Sequence, residues 1–242
     1  MSRRHALYLR QRYRMVLSAT GLILLLCAAT FPIPLLATFA WPEEIRHAPG
    51  FLVPAGTLAA VGWGLWRGLR PRAPGVLTLQ GGGVIVLLAW VLASLFGAWP
   101  FMAIEGMAFH LGVFEAVSGW TTTGLSVVDV EQAPHTLLLW RSVMQWVGGA
   151  GLAIVMLAAL LGPAGPALAA AEGRGQQLVP QVRQSARLVV LIYAGYVAVG
   201  VPPCWLAGMD GFDAVNHAFA ALSTGGFSTH AASVGHWDSP VV

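Results

Sequence analysis

Residues 114–126 read FEAVSGWTTTGLS, a polar threonine run closed by glycine and lodged between long apolar stretches. Unpaired carbonyls at bilayer depth are tolerated only where they are buried in protein or line a water-filled path. The apolar stretch ahead, residues 101–117, carries Glu105, His110 and Glu115 and runs straight into the threonines. Roughly 10 to 14 helical residues do not cross a hydrocarbon core of about 30 Å. The stretch is therefore read as re-entrant, a short pore helix that dips in and stops, with the negative end of its dipole favouring a cation at the threonines.

The pattern occurs twice. Thr122-Thr-Gly-Leu-Ser126 returns as Thr224-Gly-Gly-Phe-Ser228, displaced by 102 residues, and the same displacement lays Pro100 on Pro202 and Ala116 on Ala218. An internal repeat of this kind means two structural units of one type. Threonine and glycine carbonyls arranged about an axis are how a potassium filter replaces an ion's hydration shell, glycine supplying the backbone angles.

On these residues the chain resembles the Trk/Ktr/HKT superfamily of potassium transporters. FEAVSGWTTTGLS, followed by LLLWRSVMQWVGGAGLAIV at 137–155, and the later AVNHAFAALSTGGFSTH at 214–230 are similar to the first and second filter regions of the bacterial Trk-type membrane subunit. The likeness covers most of residues 76–242. It implies potassium uptake, with the transported ion held by backbone carbonyls over Thr122, Thr123, Gly124, Thr224, Gly225 and Gly226. It also implies a homodimer in membrane lipid and a cytosolic nucleotide-binding regulatory subunit, neither of which any residue here announces.

Composition sets the class independently. With 57% hydrophobic and 10% charged residues and a mean hydropathy of +0.70, the chain is far from a soluble domain, whose charged fraction is about 25%. The expected fold is an all-α polytopic membrane protein built of helix, re-entrant pore loop and helix repeats, as in potassium channels. Cys27 and Cys204 are 177 positions apart, in different apolar segments, and read as packing residues. All 13 basic residues are arginine and they are spread over several segments rather than gathered on one, which excludes a nucleic-acid partner.

In chain order, residues 15–40 form a first span, retained rather than cleaved because no small-residue cleavage site ends it, with Pro32 and Pro34 kinking or closing it. Residues 51–69 are the second span and 77–96 the third, Pro100 marking its outer end. Residues 137–161 return through the membrane, with Gly148, Gly149 and Gly151 read as close-packing positions or as a gating hinge. A Gly-, Pro- and Ala-rich linker follows. Residues 188–206 are the fifth span, ended by Pro202 and Pro203, and 210–222 a second pore helix leading into Ser223-Thr-Gly-Gly-Phe227. The expected domains are thus 1–75, a two-helix N-terminal extension; 76–161, a first repeat; 162–183, a cytoplasmic linker; and 184–242, a second repeat cut before its last helix. A four-sided ring of carbonyls needs four such segments, which the superfamily resemblance supplies from four repeats in one chain, so these residues alone are expected not to make a complete pore.

Charge orients it. With a cytoplasmic N-terminus, eleven of the thirteen arginines lie inside, the exceptions being Arg46 and Arg141, and nine of the ten acids lie outside or in the outward re-entrant segments, Glu172 excepted. That is the asymmetry expected of an inserted membrane protein, and the resemblance implies that the membrane is a bacterial inner one.

Single residues have plainer readings beside the functional ones. Glu105 and Glu115 suit a cation-attracting mouth, but Glu115 is read first as holding the pore helix. Arg141 is expected to snorkel or to pair with Asp129 or Glu131, and His217 to be a satisfied helix residue. The seven histidines show no H-E-x-x-H pattern, so no catalytic metal is expected. A membrane enzyme using Ser118, Ser223 or a His/Glu pair lacks any paired nucleophile and base and leaves the doubled motif unexplained. A non-conducting fragment or scaffold subunit is the remaining alternative, separated from a transporter by cation flux.

Overall fold

The computed structural model describes residues 3–70, 79–161 and 178–237. The linker at 162–177, and Arg72, Arg174, Glu172 and Asp238, lie outside the described residues. All regular structure among the described residues is helical: α1 (Arg3–Ala28), α2 (Ala48–Gly68), α3 (Leu79–Gly97), α4 (Trp99–Glu105), α5 (Phe109–Trp120), α6 (His135–Leu161), α7 (Leu178–Leu206) and α8 (Gly211–Leu222), with three short 3-10 turns. Among the described residues four stretches, Leu9–Phe39, Pro42–Gly68, Gln80–Glu105 and Arg187–Leu206, are long and apolar enough to cross a membrane. The chain divides into two compact units: Met1–Val117 with Pro134–Trp140, and Ser118–Ala133 with Arg141–Val242.

In the first unit α1 and α2 run antiparallel and nearly touch. A Cβ placed on Gly21 would lie 2.6 Å from the Gly62 carbonyl oxygen, and one on Gly62 2.8 Å from the Gly21 oxygen. With no hydrophobic drive between helices in lipid, small residues that let backbones approach supply the packing instead. Ser18 Oγ reinforces the crossing by donating to the Trp66 carbonyl at 3.2 Å. The core is aromatic: Phe31, Phe51, Phe101 and Trp140 are fully buried. The Trp140 indole is 4.5 Å from the Phe31 ring and donates to the Gly97 carbonyl at 3.1 Å, so its one polar atom is satisfied where no water reaches it.

Glu44 closes this unit. It is 6% exposed, and its carboxylate accepts from the backbone N–H groups of His135 and Thr136 at 2.9 and 2.7 Å and sits 2.9 Å from His135 Nδ1. The first N–H groups of a helix have no partner within it and sit at its positive end. A carboxylate from the N-terminal extension thus caps α6, and Trp41 stacks on His135 at 3.7 Å beside it.

Several expectations need correcting. The stretch read as re-entrant is two helices, because Gly106 enters the left-handed region at φ 65 and ends α4; the second of them, α5, reaches Trp120, three residues beyond the end expected for a pore helix. Pro202 and Pro203 lie inside α7, which runs on to Leu206. Each removes one backbone donor, yet the helix continues to the turn at Gly208, φ 116, where Met209 N–H closes on the Cys204 carbonyl. α7 also begins at Leu178, inside the expected linker.

Candidate functional site

Both threonine–glycine segments lie in the second unit, and their backbones repeat as their sequences do. At the end of α5, Thr123 N–H donates to the Ser118 carbonyl at 2.9 Å and Thr122 N–H to Gly119 at 3.1 Å. At the end of α8, Gly225 N–H donates to Ala220 at 2.8 Å and Thr224 N–H to Ala221 at 3.1 Å. This nested pair of bonds is the Schellman closure, which needs a left-handed residue just past the helix. Here that residue is threonine in both copies, Thr122 at φ 57 and Thr224 at φ 53. A β-branched residue in that region is an outlier costing about 1–3 kcal/mol. Two residues further on, Gly124 and Gly226 carry φ 81 and φ 90. The chain thus leaves α5 and α8 through the same sequence of angles, a second left-handed residue two positions after the first.

The two segments meet. A Cβ on Gly124 would fall on the Gly225 carbonyl oxygen, 3.0 Å from its carbon and 3.3 Å from Gly226 Cα. The glycine at 124 is therefore required twice, for its angle and for its space. Gly225 is required only for space: its φ is ordinary, and a Cβ there would run into the Gln145 amide. Of the six residues singled out in the sequence, Gly124, Gly225 and Gly226 come together at this contact. Thr122 and Thr224 sit at the helix exits, and the Thr123 hydroxyl lies 2.7 Å from that of Thr121.

One face of α6 supports both segments. Arg141, 2% exposed, donates to the Ser228 carbonyl and to Ser126 Oγ, both at 2.9 Å, and its guanidinium lies 4.1 Å over the Phe227 ring. It therefore does not snorkel: it ties one segment to the other. A planar guanidinium with several fixed donors suits such a bridge. One turn on, fully buried Gln145 accepts from Phe227 N–H at 3.2 Å. A Cβ on Gly148 would fall on the Trp120 carbonyl oxygen, and one on Gly149 would lie 2.9 Å from Ser223 Cβ. These two glycines are thus contact points for the ends of α5 and α8, whereas a Cβ on Gly151 would meet nothing among the described residues within 4 Å. Gln145 escaped the sequence reading. Its signal was the spacing of Arg141, Gln145, Gly148 and Gly149, a polar and small stripe at i, i+4, i+7 and i+8 on an otherwise apolar helix.

The second segment has its own anchor. Asp210 caps α8 by accepting from Asp213 N–H at 2.7 Å. Asp213, 7% exposed, accepts from Thr229 Oγ1 at 2.6 Å and lies 3.0 Å from His230 Nε2, while His217 reaches Ser228 Oγ at 3.0 Å. His217 is thus a satisfied helix residue, as read. Glu131 accepts from Ala231 N–H at 3.0 Å, joining the loops beyond the two segments. Glu115 is fully buried on α5, which suits the structural role rather than an open rim. The hydroxyls considered for hydrolysis are used as donors to backbone carbonyls, Ser118 to Leu125 at 2.5 Å and Ser223 to Phe219 at 2.8 Å.

Paired short helices that stop at glycine-bearing segments, supported by a long returning helix in an apolar all-α chain, define a multi-pass membrane protein of the pore-loop kind. The chain belongs to the TrkH family of cation transport proteins, which residues 77–242 match. It is 34% identical over 239 residues to the Trk system potassium uptake protein TrkH of Escherichia coli K12, covering 95% of this chain and 49% of that protein. An uncharacterised cation transporter of Methanocaldococcus jannaschii is 34% identical over 183 residues, 74% of this chain and 38% of the relative. The crystal structure of the potassium transporter TrkH from Vibrio parahaemolyticus superposes with a TM-score of 0.81 at 31% identity, over 95% of this chain and 47% of that one. The chain spans about half the length of the curated relatives it matches.

Proposed function

We propose that these two segments are half of a potassium filter, and that the chain works in potassium uptake across a bacterial inner membrane. The observation that carries the proposal is the doubled exit: Thr122 and Thr224 at φ 57 and 53, Gly124 and Gly226 at φ 81 and 90, and the Gly225 carbonyl seated against Gly124. Backbone carbonyls over Thr122, Thr123, Gly124, Thr224, Gly225 and Gly226 replace the ion's hydration water. The C-terminal ends of α5 and α8, whose dipoles are negative there, favour a cation at the same place. No side chain undergoes chemistry; the potassium ion is cargo. Relatives carrying the name potassium uptake protein support this reading.

The proposal includes the organisation into 1–75, 76–161, 162–183 and 184–242, a cytoplasmic N-terminus, a homodimer and a cytosolic nucleotide-binding regulatory subunit. It is tested by reconstituting a complete transporter carrying these segments in liposomes and measuring rubidium and sodium flux. Flux of rubidium that potassium suppresses and sodium does not is the expected result. A protein that inserts at normal levels but passes no cation would make the chain a scaffold subunit, and turnover of a small substrate would return the enzyme reading.

A further inference from the structure

We infer that the cleft between the first half of α1 and the end of α2 binds the phosphate headgroup of an anionic phospholipid. The cleft measures about 690 Å³ and is lined by residues of the first unit. Arg10 and Arg14, one helical turn apart on α1, both face it, with Tyr13 between them. Arg14 reaches the Gly68 carbonyl only at 3.5 Å, and its Nε is buried with no hydrogen-bond partner among the described residues. Arg10 and Tyr13 are exposed.

These cations have no counter-charge in the elements that form the cleft. The chain carries five arginines before its first acid, Glu43, and four more between Glu44 and Glu105 with no acid among them. α1, α2 and α3 contain no Asp or Glu. The neighbouring cations are matched to neutral groups: Arg12 donates to Gln80 Oε1 at 3.0 Å, and Arg67 lies 5.6 Å over the Trp63 ring. A guanidinium with free donors takes a phosphate oxygen through a charge-assisted bond.

The remaining wall says which phosphate. Leu9, Leu17 and Leu69 line the same cleft, at the end of the membrane-length stretches that begin at Leu9 and finish at Gly68. A free phosphate ion uses the arginines and leaves the leucines wet. A phospholipid satisfies both, its headgroup on the guanidiniums and its first acyl carbons along the leucines, as basic pockets between helices at a membrane surface do.

The test uses a complete transporter carrying this chain, purified in detergent, with lipid retention followed by native mass spectrometry. Phosphatidylglycerol is expected to stay bound where phosphatidylcholine does not. Arg10→Gln with Arg14→Gln is expected to weaken phosphatidylglycerol binding roughly 25-fold, taking roughly fivefold for each arginine near a charged lipid surface. Arg187→Gln, at an exposed arginine on α7, is expected to change nothing. Equal retention of the two lipids overturns the inference, as does an equal loss with Arg187→Gln, which would reduce the effect to general surface charge. Displacement of the lipid by millimolar inorganic phosphate would assign the arginines to a free anion and overturn it too. Should the double variant not assemble, Arg10→Gln alone decides: a fivefold loss supports the site and unchanged binding refutes it.

Discussion

Alanine at Gly124 and alanine at Gly226 are the same change at equivalent points of the two repeats, and the structure makes them unequal. Both positions are left-handed, at φ 81 and φ 90, so each alanine carries a backbone penalty of about 1–2 kcal/mol. At Gly226 the new methyl group meets nothing among the described residues within 4 Å. At Gly124 it falls on the Gly225 carbonyl oxygen, with backbone atoms at 3.0 and 3.3 Å behind it. Backbone does not rotate away as a flexible side chain does, so the segment itself must move, at about 1–3 kcal/mol for an overpacked site. The difference between the variants is therefore about 2 kcal/mol, roughly 30-fold in an equilibrium constant. The atom displaced is itself one of the proposed ion ligands. In proteoliposomes holding a complete transporter with these segments, apparent potassium affinity is expected to fall roughly 5- to 30-fold for Gly226→Ala and about 30-fold further for Gly124→Ala. Potassium-over-sodium discrimination should follow the same order. Equal losses, or a larger loss at Gly226, would refute the contact between the segments as the reason for glycine at 124.

Arg141→Met keeps most of the side-chain volume but removes the donors to Ser126 and Ser228; a loss of about 2–3 kcal/mol is expected in thermal unfolding, with poorer discrimination, and Arg141→Lys should not restore it because one ammonium lacks the planar fork. Undiminished discrimination in Arg141→Met would end the bridging role. Glu44→Ala leaves the His135 and Thr136 N–H groups without their acceptor, an expected cost of about 1–3 kcal/mol, read as a lower unfolding midpoint that Glu44→Gln partly recovers; a midpoint unchanged in both would show that the cap contributes nothing. For orientation, single cysteines at Arg72 and Arg174 should be shielded from an impermeant thiol reagent in intact cells while one at Gln132 reacts, and outside labelling at 72 would invert the topology.

Much of this architecture is legible without coordinates because it is written in local composition. Apolar runs of membrane length, short polar-ended helices and the 102-residue displacement are properties of neighbouring residues, and lipid permits few backbone solutions to them. A helix expected at 210–222 is α8 at Gly211–Leu222 with Asp210 as its cap. Boundaries fared worse where one residue's conformation decides them: Gly106 splits the first re-entrant stretch, and two prolines do not stop α7.

What only the tertiary structure decides is why particular residues stand in the site. From sequence, every glycine of the threonine–glycine runs has one explanation, an unusual backbone angle. In the structure the left-handed positions after the pore helices are threonines, Thr122 and Thr224, while Gly225 has an ordinary angle and is small because Gln145 presses on it. Arg141 and Gln145 look like an outer charge and an ordinary polar residue until α6 brings one of its faces against segments 15 and more than 80 residues away. Which segments are long and apolar enough to cross a membrane is readable from sequence, because that depends on local hydrophobicity and backbone freedom. Which atoms then touch depends on close approach between segments distant in the chain, and local pattern carries no record of it.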